Sequence, residues 1–593
     1  MNLIPIFEQK YPNLKAWLPH ITLTLWIGLL LIATNGQQSL MAHDEGWYAT
    51  QSRWMFETGD WITPKWWGEP VYDRTIGIHW AIAACYSLFG MTDGVARLPN
   101  LITCILATLL TYEIGLLLLN RRVAWLGAAI LCLCSLWLQY GRMATQDVPL
   151  ICLELLGIWA LLKAEIYPKA SWKWRLLAGS TVGIGFMIKS VMIVLPIAAL
   201  FPYLIWQHRR HHHLTSPSLY VGVILGAIPA AVWFGLTYLY YGVAPFQAMI
   251  GKLFFLGSKQ YASDGNIIYY FWNIPLNSFP WALFAIFGMT ILWAQFRENQ
   301  LRGNVKSPDL NQAESPSELG ASNSQEEFDR RFTREQKWEQ RTSVSILIFY
   351  PILLFVVLTS FSTRTAYYSL QLYPFIGLLA AVAIDWLAHR PQARVPQVIT
   401  YLFGGLAAIL LIAFATLGLG AIAISDDVRK HLVIVPILGI GWLTLPFLWH
   451  QYKSEYQKHL NHGSAIPFQS QWLSILLAVF LITPWLTFAT AGLAGLWGNY
   501  SQDLKTYLQQ PAIASILQAQ PINFVTHNTI DGEIHKTWIL LSFYTPHLGK
   551  DIKTVAELPP ASYAWISPDV PITRRETSLG NIRGWQLIKV NSR

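Results

Sequence analysis

The chain has 593 residues, 53% of them apolar and only 13% charged, with 28 tryptophans and a formal net charge of +9. Soluble domains carry about 25% charged residues, so this deficit and the long apolar runs exclude a soluble protein and indicate an α-helical polytopic membrane protein. The positive charge does not mark a nucleic-acid partner, because most basic residues fall in short loops between apolar runs, where they set orientation.

The first apolar segment, Trp17 to Thr34, is about 18 residues long, enough to cross a bilayer. It lacks a small-residue cleavage signal and is read as a retained span. The opening loop follows at once, HDEGWYATQSRWMFETGDWITPKWWGEPVYDRTIGIHW, residues 43 to 80. Asp44 and Glu45 stand where the chain leaves the membrane. Trp47, Tyr48, Gln51, Trp54, Met55 and Thr58 recur at helical spacing, and Gly59 supplies a stop. This composition predicts a helix in the headgroup layer, with Asp44 and Glu45 also suited to capping it. Asp73-Arg74 closes the loop. Ile76 to Phe89, about 14 residues, is too short for a span and is read as re-entrant or interfacial.

The apolar runs then predict about thirteen spans: 17–34, 98–119, 123–140, 147–164, 174–188, 190–207, 218–240, 269–295, 343–361, 367–388, 398–424, 431–449 and 472–495. Basic clusters fall on one side of this arrangement, at Arg121-Arg122, Lys163 to Arg175, Arg209-Arg210, His389 to Gln397 and His450 to Gln471. That side is therefore cytoplasmic, and the opening loop and the C-terminus are outside. Residues 296–342 are polar, without apolar periodicity, and read as a disordered cytoplasmic insert. His208 to His213 reads as a solvated basic loop rather than a metal site. The five cysteines, Cys85, Cys104, Cys132, Cys134 and Cys152, lie in or beside apolar segments without CxxC spacing, so no disulfide and no zinc site is expected. Residues 498–593 form a small soluble α/β domain, with a helical pattern over 501–519 and β-like runs INFVTH, TWILLSFY, SYAWIS and WQLIKV.

This topology gathers polar residues at the outer ends of the spans. The opening loop offers Asp44, Glu45, Arg53, Asp73 and Arg74. The turn GRMATQD adds Asp147, the break near 189 adds Lys189, and the turn FSTRTAYY adds Arg364, Tyr367 and Tyr368. Each has an ordinary explanation: Asp147 as an N-cap, Lys189 snorkelling to the interface, Arg364 on lipid headgroups, the tyrosines in an aromatic belt. Together they suit a hydroxyl acceptor and a phosphate leaving group, the carboxylate taking a proton while cations hold the phosphate.

The opening loop resembles the first outer loop of the GT-C membrane glycosyltransferases, and within them the aminoarabinose-transferase-like and protein-mannosyltransferase-like group (glycosyltransferase 39/83 type). GRMATQDVPL is similar to that group's second acidic turn and GFMIKSVMIVLP to its Leu-x-Lys-Gly-Pro element. NSFPWALF and FSTRTAYYSLQLYPF are similar to two later elements. The likeness covers about the first 380 residues. It implies a GT-C catalytic domain over 1–497, with an outer loop at 35–75, and an extracytoplasmic domain over 498–593. It also implies inverting sugar transfer from a polyprenyl-phosphate donor to a lipid or protein hydroxyl, by a monomer in the plasma (inner) membrane. Asp44 matches the acid that activates the acceptor and Asp147 the second acid, with Glu45 assisting or capping. Tyr48, Arg74 and Lys189 match positions near the donor phosphate, and Arg364 and Tyr368 face the same cavity. Arg74-Thr75 replaces the group's Lys-Pro, Trp47 stands where a basic residue often occurs, Ser190 replaces Gly, and Arg364 replaces Lys. These changes bear on substrate identity. No cofactor is required on this reading, a weak divalent metal at the carboxylates being the one alternative. The rival readings are a lipid-linked-sugar flippase, for which paired broken-helix repeats are missing, and an oligosaccharyltransferase, whose Trp-Trp-Asp-Tyr-Gly signature is missing.

Overall fold

In a computed structural model of the chain, the described residues are 12–32, 35, 37–258, 266–302, 341–420, 424–461, 470–526, 532–571 and 576–591. Most of the expected insert, 296–342, lies outside them. Helix α1 (Pro12–Ile32) leads into a π-helical turn, Ala42–Gly46, which runs on into α2 (Trp47–Thr58). A two-residue hairpin, β1 (Lys65–Trp66) with β2 (Glu69–Pro70), precedes α3 (Gly77–Phe89). The helices that position the site are α4 (Leu98–Leu118), α5 (Asp147–Ile166), α6 (Ser171–Lys189), α7 (Pro217–Tyr241) and α8 (Ala244–Ser258).

Eight helices among the described residues are long and apolar enough to cross a membrane, or ten if each of two bent pairs is one span. The expected thirteen included three segments that differ in kind. The apolar part of α1 is a short helix, Trp17–Ile32. Helix α5 carries Asp147, Glu154, Lys163 and Glu165, more charge than a lipid-facing span tolerates. The segments expected at 174–188 and 190–207 join in one helical run, Pro168–Ala199. That run is nevertheless broken at Ser190, whose φ of 52° no regular helix has. A Cβ on Gly185 would meet the Ile193 side chain at 2.8 Å, whereas residues eight apart on a straight helix are separated by about 12 Å. The chain therefore turns just after Lys189. Helix α3, at 13 residues, is too short to span, as expected.

The C-terminal sheet contains β3 (Ile522–Val525), β4 (Leu548–Ile552), β5 (Tyr563–Ile566), β6 (Glu576–Ile582) and β7 (Trp585–Val590), in the order β4-β3-β5-β7-β6. Strand β3 is parallel to β4 and β5, and the remaining pairs are antiparallel. The run TWILLSFY, expected as a strand, lies instead in helix α9 (Gly532–Tyr544). Its β-branched and aromatic residues favour a strand locally. However, two neighbouring parallel strands need a crossover, and a helix supplies it.

Helix α2 is packed inside the protein rather than exposed along one face. Tyr48 to Met55 are all buried, because α3 covers one side of the helix and the C-terminal domain the other. The Arg53 guanidinium, 1% exposed, donates to the carbonyls of Ser542, Phe543 and Thr545 through Nη1 and of Pro546 through Nη2. The first two belong to the last turn of α9, where carbonyls lack a partner within the helix, and the other two to the chain just beyond it, so Arg53 caps a helix nearly five hundred residues away. The hairpin turn Trp67-Gly68 has φ of 49° and 87°, the two-residue geometry that twists with its strands. It sends Trp66 against Trp538 at 4.9 Å and Trp67 against Phe524 at 4.8 Å. Nor is the His208–His213 stretch a solvated loop. His211 and His213 are buried and stacked at 3.9 Å, with Arg175 Nε donating to His213 Nδ1 and the Tyr203 hydroxyl on its Nε2.

Replacing Arg53 by Met leaves four carbonyls, three of them buried, without this donor. The C-terminal domain is expected to loosen at a cost of roughly 2–4 kcal/mol, measured as a lower thermal midpoint and earlier proteolysis within 498–531.

Candidate active site

The site is built around the π-helical turn. Glu45, fully buried, points inward. Its Oε1 accepts from Arg97 Nε at 2.5 Å and its Oε2 from Arg97 Nη2 at 2.9 Å. Oε2 also accepts from the Met41 amide at 3.0 Å, and Oε1 from the Ala144 amide at 3.2 Å. Glu45 thus ties the opening loop to the turn that carries Asp147, and its lone pairs are occupied. Glu45 holds the site together and does not enter it. Arg97 donates further to the carbonyls of Gln38 and Ser39.

Asp44, the next residue back on the turn, is half-buried and faces the other way. Burial raises its pKa above the ordinary carboxylate value, and the neighbouring Asp147 raises it further. Arg74, His43 and Lys189 act in the opposite sense. Asp147 is the first residue of α5 rather than its N-cap, which is Gln146. Its carboxylate forms a close ion pair with Lys189, at the last residue of α6. The Lys189 ammonium also lies 5.0 Å from the ring centre of Tyr367 and 5.1 Å from that of Tyr368, the face-on contact a cation favours.

Arg74 stacks over Tyr48, its guanidinium carbon 4.5 Å from the ring centre, and its Nε lies 3.3 Å from Asp73 Oδ2. The same oxygen accepts from Lys252 Nζ, on α8, at 2.8 Å. Burial would push Asp73 upward, but Arg74 and then Lys252 outweigh it and hold the carboxyl below its usual value. Arg74 Nη1 is buried without a hydrogen-bond partner among the described residues, a donor left over for an oxyanion. The loop reaches α6 closely: a Cβ at Gly77 would sit 2.7 Å from the Met187 carbonyl oxygen. A side chain there would push Arg74 away from Lys189.

The structure therefore brings Asp44, Asp147, Tyr48, Arg74, Lys189 and Tyr368 to one place. Arg364 donates through Nε and Nη2 to the Thr359 carbonyl at 3.1 and 2.9 Å, on the same turn as Tyr367 and Tyr368, which contact Lys189. Sequence reasoning missed Arg97, Tyr367's contact and Lys252. Lys252 carried a usable signal, being the single charged residue in the apolar stretch APFQAMIGKLFFLGS, and such a residue is a functional candidate by default. Among the described residues, no group of three or more His, Cys, Asp or Glu side chains is arranged to hold a metal ion.

The molecule's shape matches ArnT from Cupriavidus metallidurans, in its apo state and bound to undecaprenyl phosphate. The TM-scores are 0.67 and 0.66, at 18% identity, over 97% of this chain and 98% of that one. The chain shares the fold of that protein. Residues 73–234 match the family described as dolichyl-phosphate-mannose-protein mannosyltransferase. That stretch contains Asp73, Arg74, Asp147 and Lys189, while Asp44 precedes it. Two relatives are each named undecaprenyl phosphate-alpha-4-amino-4-deoxy-L-arabinose arabinosyl transferase. The one from Pseudomonas aeruginosa (strain LESB58) is 28% identical over 222 residues, and the one from Yersinia enterocolitica is 28% identical over 217. Each match covers 35% of this chain and 39% of the relative, so the chain spans about two fifths of the relatives' length. The family match thus takes in the segments that carry Asp73, Arg74, Asp147 and Lys189.

Two outcomes are expected. Glu45→Ala strands a buried guanidinium, costing roughly 3–5 kcal/mol, visible as a fall in thermal midpoint that Arg97→Met added to it partly restores. Asp147→Asn removes the like charge that raises Asp44. The Asp44 carboxyl should then titrate at lower pH, moving the acid limb of any Asp44-dependent activity downward in a pH–rate profile.

Proposed function

We propose that the chain is an inverting glycosyltransferase that moves a sugar from a polyprenyl-phosphate donor to a hydroxyl on the non-cytoplasmic face of the membrane. One observation carries this reading: a half-buried carboxylate, Asp44, stands in the field of two cations, Arg74 and Lys189, contributed by distant segments. A carboxylate suited to take a proton beside cations suited to receive a phosphate is what such a displacement needs.

In the proposed reaction the acceptor oxygen attacks the anomeric carbon from the face opposite the phosphate. The carbon–oxygen bond to phosphate breaks as the bond to the acceptor forms. The hydroxyl proton passes to Asp44 and the electron pair leaves with the prenyl phosphate, inverting the stereocentre as in direct displacement at other sugars. Arg74 receives a phosphate oxygen on its vacant Nη1, and Lys189 supplies a point charge. Lys252, freed from Asp73 or shared with it, joins Arg74, Lys189 and Arg364 as a phosphate cation. Tyr48 and Tyr368 hold the cations in orientation through their ring faces. The charges on the protein are enough for this displacement without a metal, and a single chain carries all of them. The relatives' names, which specify undecaprenyl phosphate and an amino-arabinose, support a prenyl-phosphate pentose as the first donor to try. The C-terminal sheet domain and the Asp44 pocket then lie outside the cytoplasm, in the plasma (inner) membrane, with the N-terminus cytoplasmic.

The test is transfer from labelled polyprenyl-phosphate sugars by purified protein in lipid nanodiscs. Asp44→Asn is expected to lower kcat by about 10²–10⁴-fold. Arg74→Ala and Lys252→Ala are each expected to lower kcat/KM for the donor by roughly 10–100-fold, the worth of a charge-assisted hydrogen bond. Full turnover by Asp44→Asn would end the base assignment.

A further inference from the structure

The exposed residue of the π-helical turn is His43, flanked by buried Ala42 on one side and by Asp44, Glu45 and Gly46 on the other. Its Nε2 lies 3.3 Å from Nδ1 of His535, in the first turn of α9, with ring centres 5.4 Å apart. The His535 ring is also 5.5 Å from Trp47 and 5.8 Å from Trp66. The C-terminal domain therefore places an imidazole beside the residue that precedes Asp44. This placement is fixed by other contacts. A Cβ on Gly46 would meet Ile539 at 3.1 Å, Arg53 holds the far end of α9, and the Tyr544 hydroxyl accepts from the Leu40 amide at 2.8 Å. The two histidines, exposed and half-buried, are not needed to hold the domain down.

We propose that His535 of the C-terminal domain and His43 of the opening loop, with the indoles of Trp47 and Trp66, form an acceptor-positioning rim beside Asp44 that takes a polyhydroxylated headgroup. This deepens the glycosyl-transfer reading and rests on it. A neutral imidazole offers one donor and one acceptor nitrogen. The facing pair uses one nitrogen of each ring, which leaves His43 Nδ1 and His535 Nε2 without a protein partner among the described residues. Burial keeps both rings below the ordinary histidine value, with Lys536 adding to this at His43 and His43 at His535, so both are neutral near pH 7. Lys536 is paired with Glu533 on the same helix, so the rim presents no unpaired charge. A neutral rim of donors, acceptors and aromatic faces matches a ring that carries several hydroxyls: one hydroxyl gives its proton to Asp44 and its neighbours bond the imidazoles. A serine or threonine side chain offers a single hydroxyl and leaves the rim unused.

The experiment compares two acceptors, octyl glucoside and a serine-containing hexapeptide, with undecaprenyl-phosphate-linked sugar as donor and the full-length protein in nanodiscs. For His535→Ala and His43→Ala, the KM for octyl glucoside is expected to rise about five- to tenfold, the loss of one or two neutral hydrogen bonds. Donor KM and thermal midpoint should stay unchanged, and His535→Gln should recover most of the loss. An unchanged acceptor KM overturns the proposal. So does a joint fall of kcat, donor affinity and thermal midpoint, which a merely structural role would produce. Transfer to the peptide but not to octyl glucoside overturns the headgroup class. Wild-type protein that neither binds undecaprenyl phosphate nor uses the donor marks failure of the parent reading instead, and the inference falls with it.

Discussion

The arrangement depends on the buried ion pair between Arg97 and Glu45. Both side chains are sealed from water, with relative exposures of 3% and 0%, and a pair so placed is weak as a source of stability, because desolvating both charges offsets most of their attraction. Its value here is geometric. Arg97 bonds residues 38, 39 and 45, and Glu45 bonds the amides at 41 and 144. Three chain segments are thereby held in one register. On a helical turn consecutive side chains diverge by about 100°, so drawing Glu45 inward turns Asp44 outward, toward Asp147 and Arg74.

The pocket that results is balanced in charge. Asp44, Asp73 and Asp147 face Arg74, Lys189 and Lys252, and most cations already have a carboxylate or an aromatic face. An arriving phosphate would compete with these internal partners, and the buried Arg74 donor that no group among the described residues accepts is where it would gain most. Burial also raises the proton affinity of Asp44, which is favourable in a group that has to accept a proton during transfer and release it afterwards.

The C-terminal domain is part of the same construction. Arg53 reaches from the opening loop to the end of α9, the tryptophan hairpin packs on Trp538 and Phe524, and the Asp93–Lys505 ion pair joins the loop before α4 to the start of the domain. The opening loop is consequently a buried layer between the membrane helices and the sheet. This is why a segment that reads as an interfacial helix has its arginine almost wholly covered.

Much of this was legible in the residues themselves. Low charge and long apolar runs dictate a helical membrane protein, since only such segments satisfy their own backbone in lipid. The DE pair, the GRMATQD turn and the lysine at a helix break mark polar groups at membrane depth, where their cost demands a reason. The β-strands at 522–525, 563–566 and 585–590 follow from local pattern. What the sequence could not determine was partnership. Whether Glu45 or Asp44 faces Asp147, that Lys252 pairs with Asp73, and whether TWILLSFY is a strand or a crossover helix depend on contacts between residues far apart in the chain. Local propensity and hydropathy carry no information about those contacts, because they are set only when the helices and the sheet pack and each buried charge must find an opposite or a carbonyl.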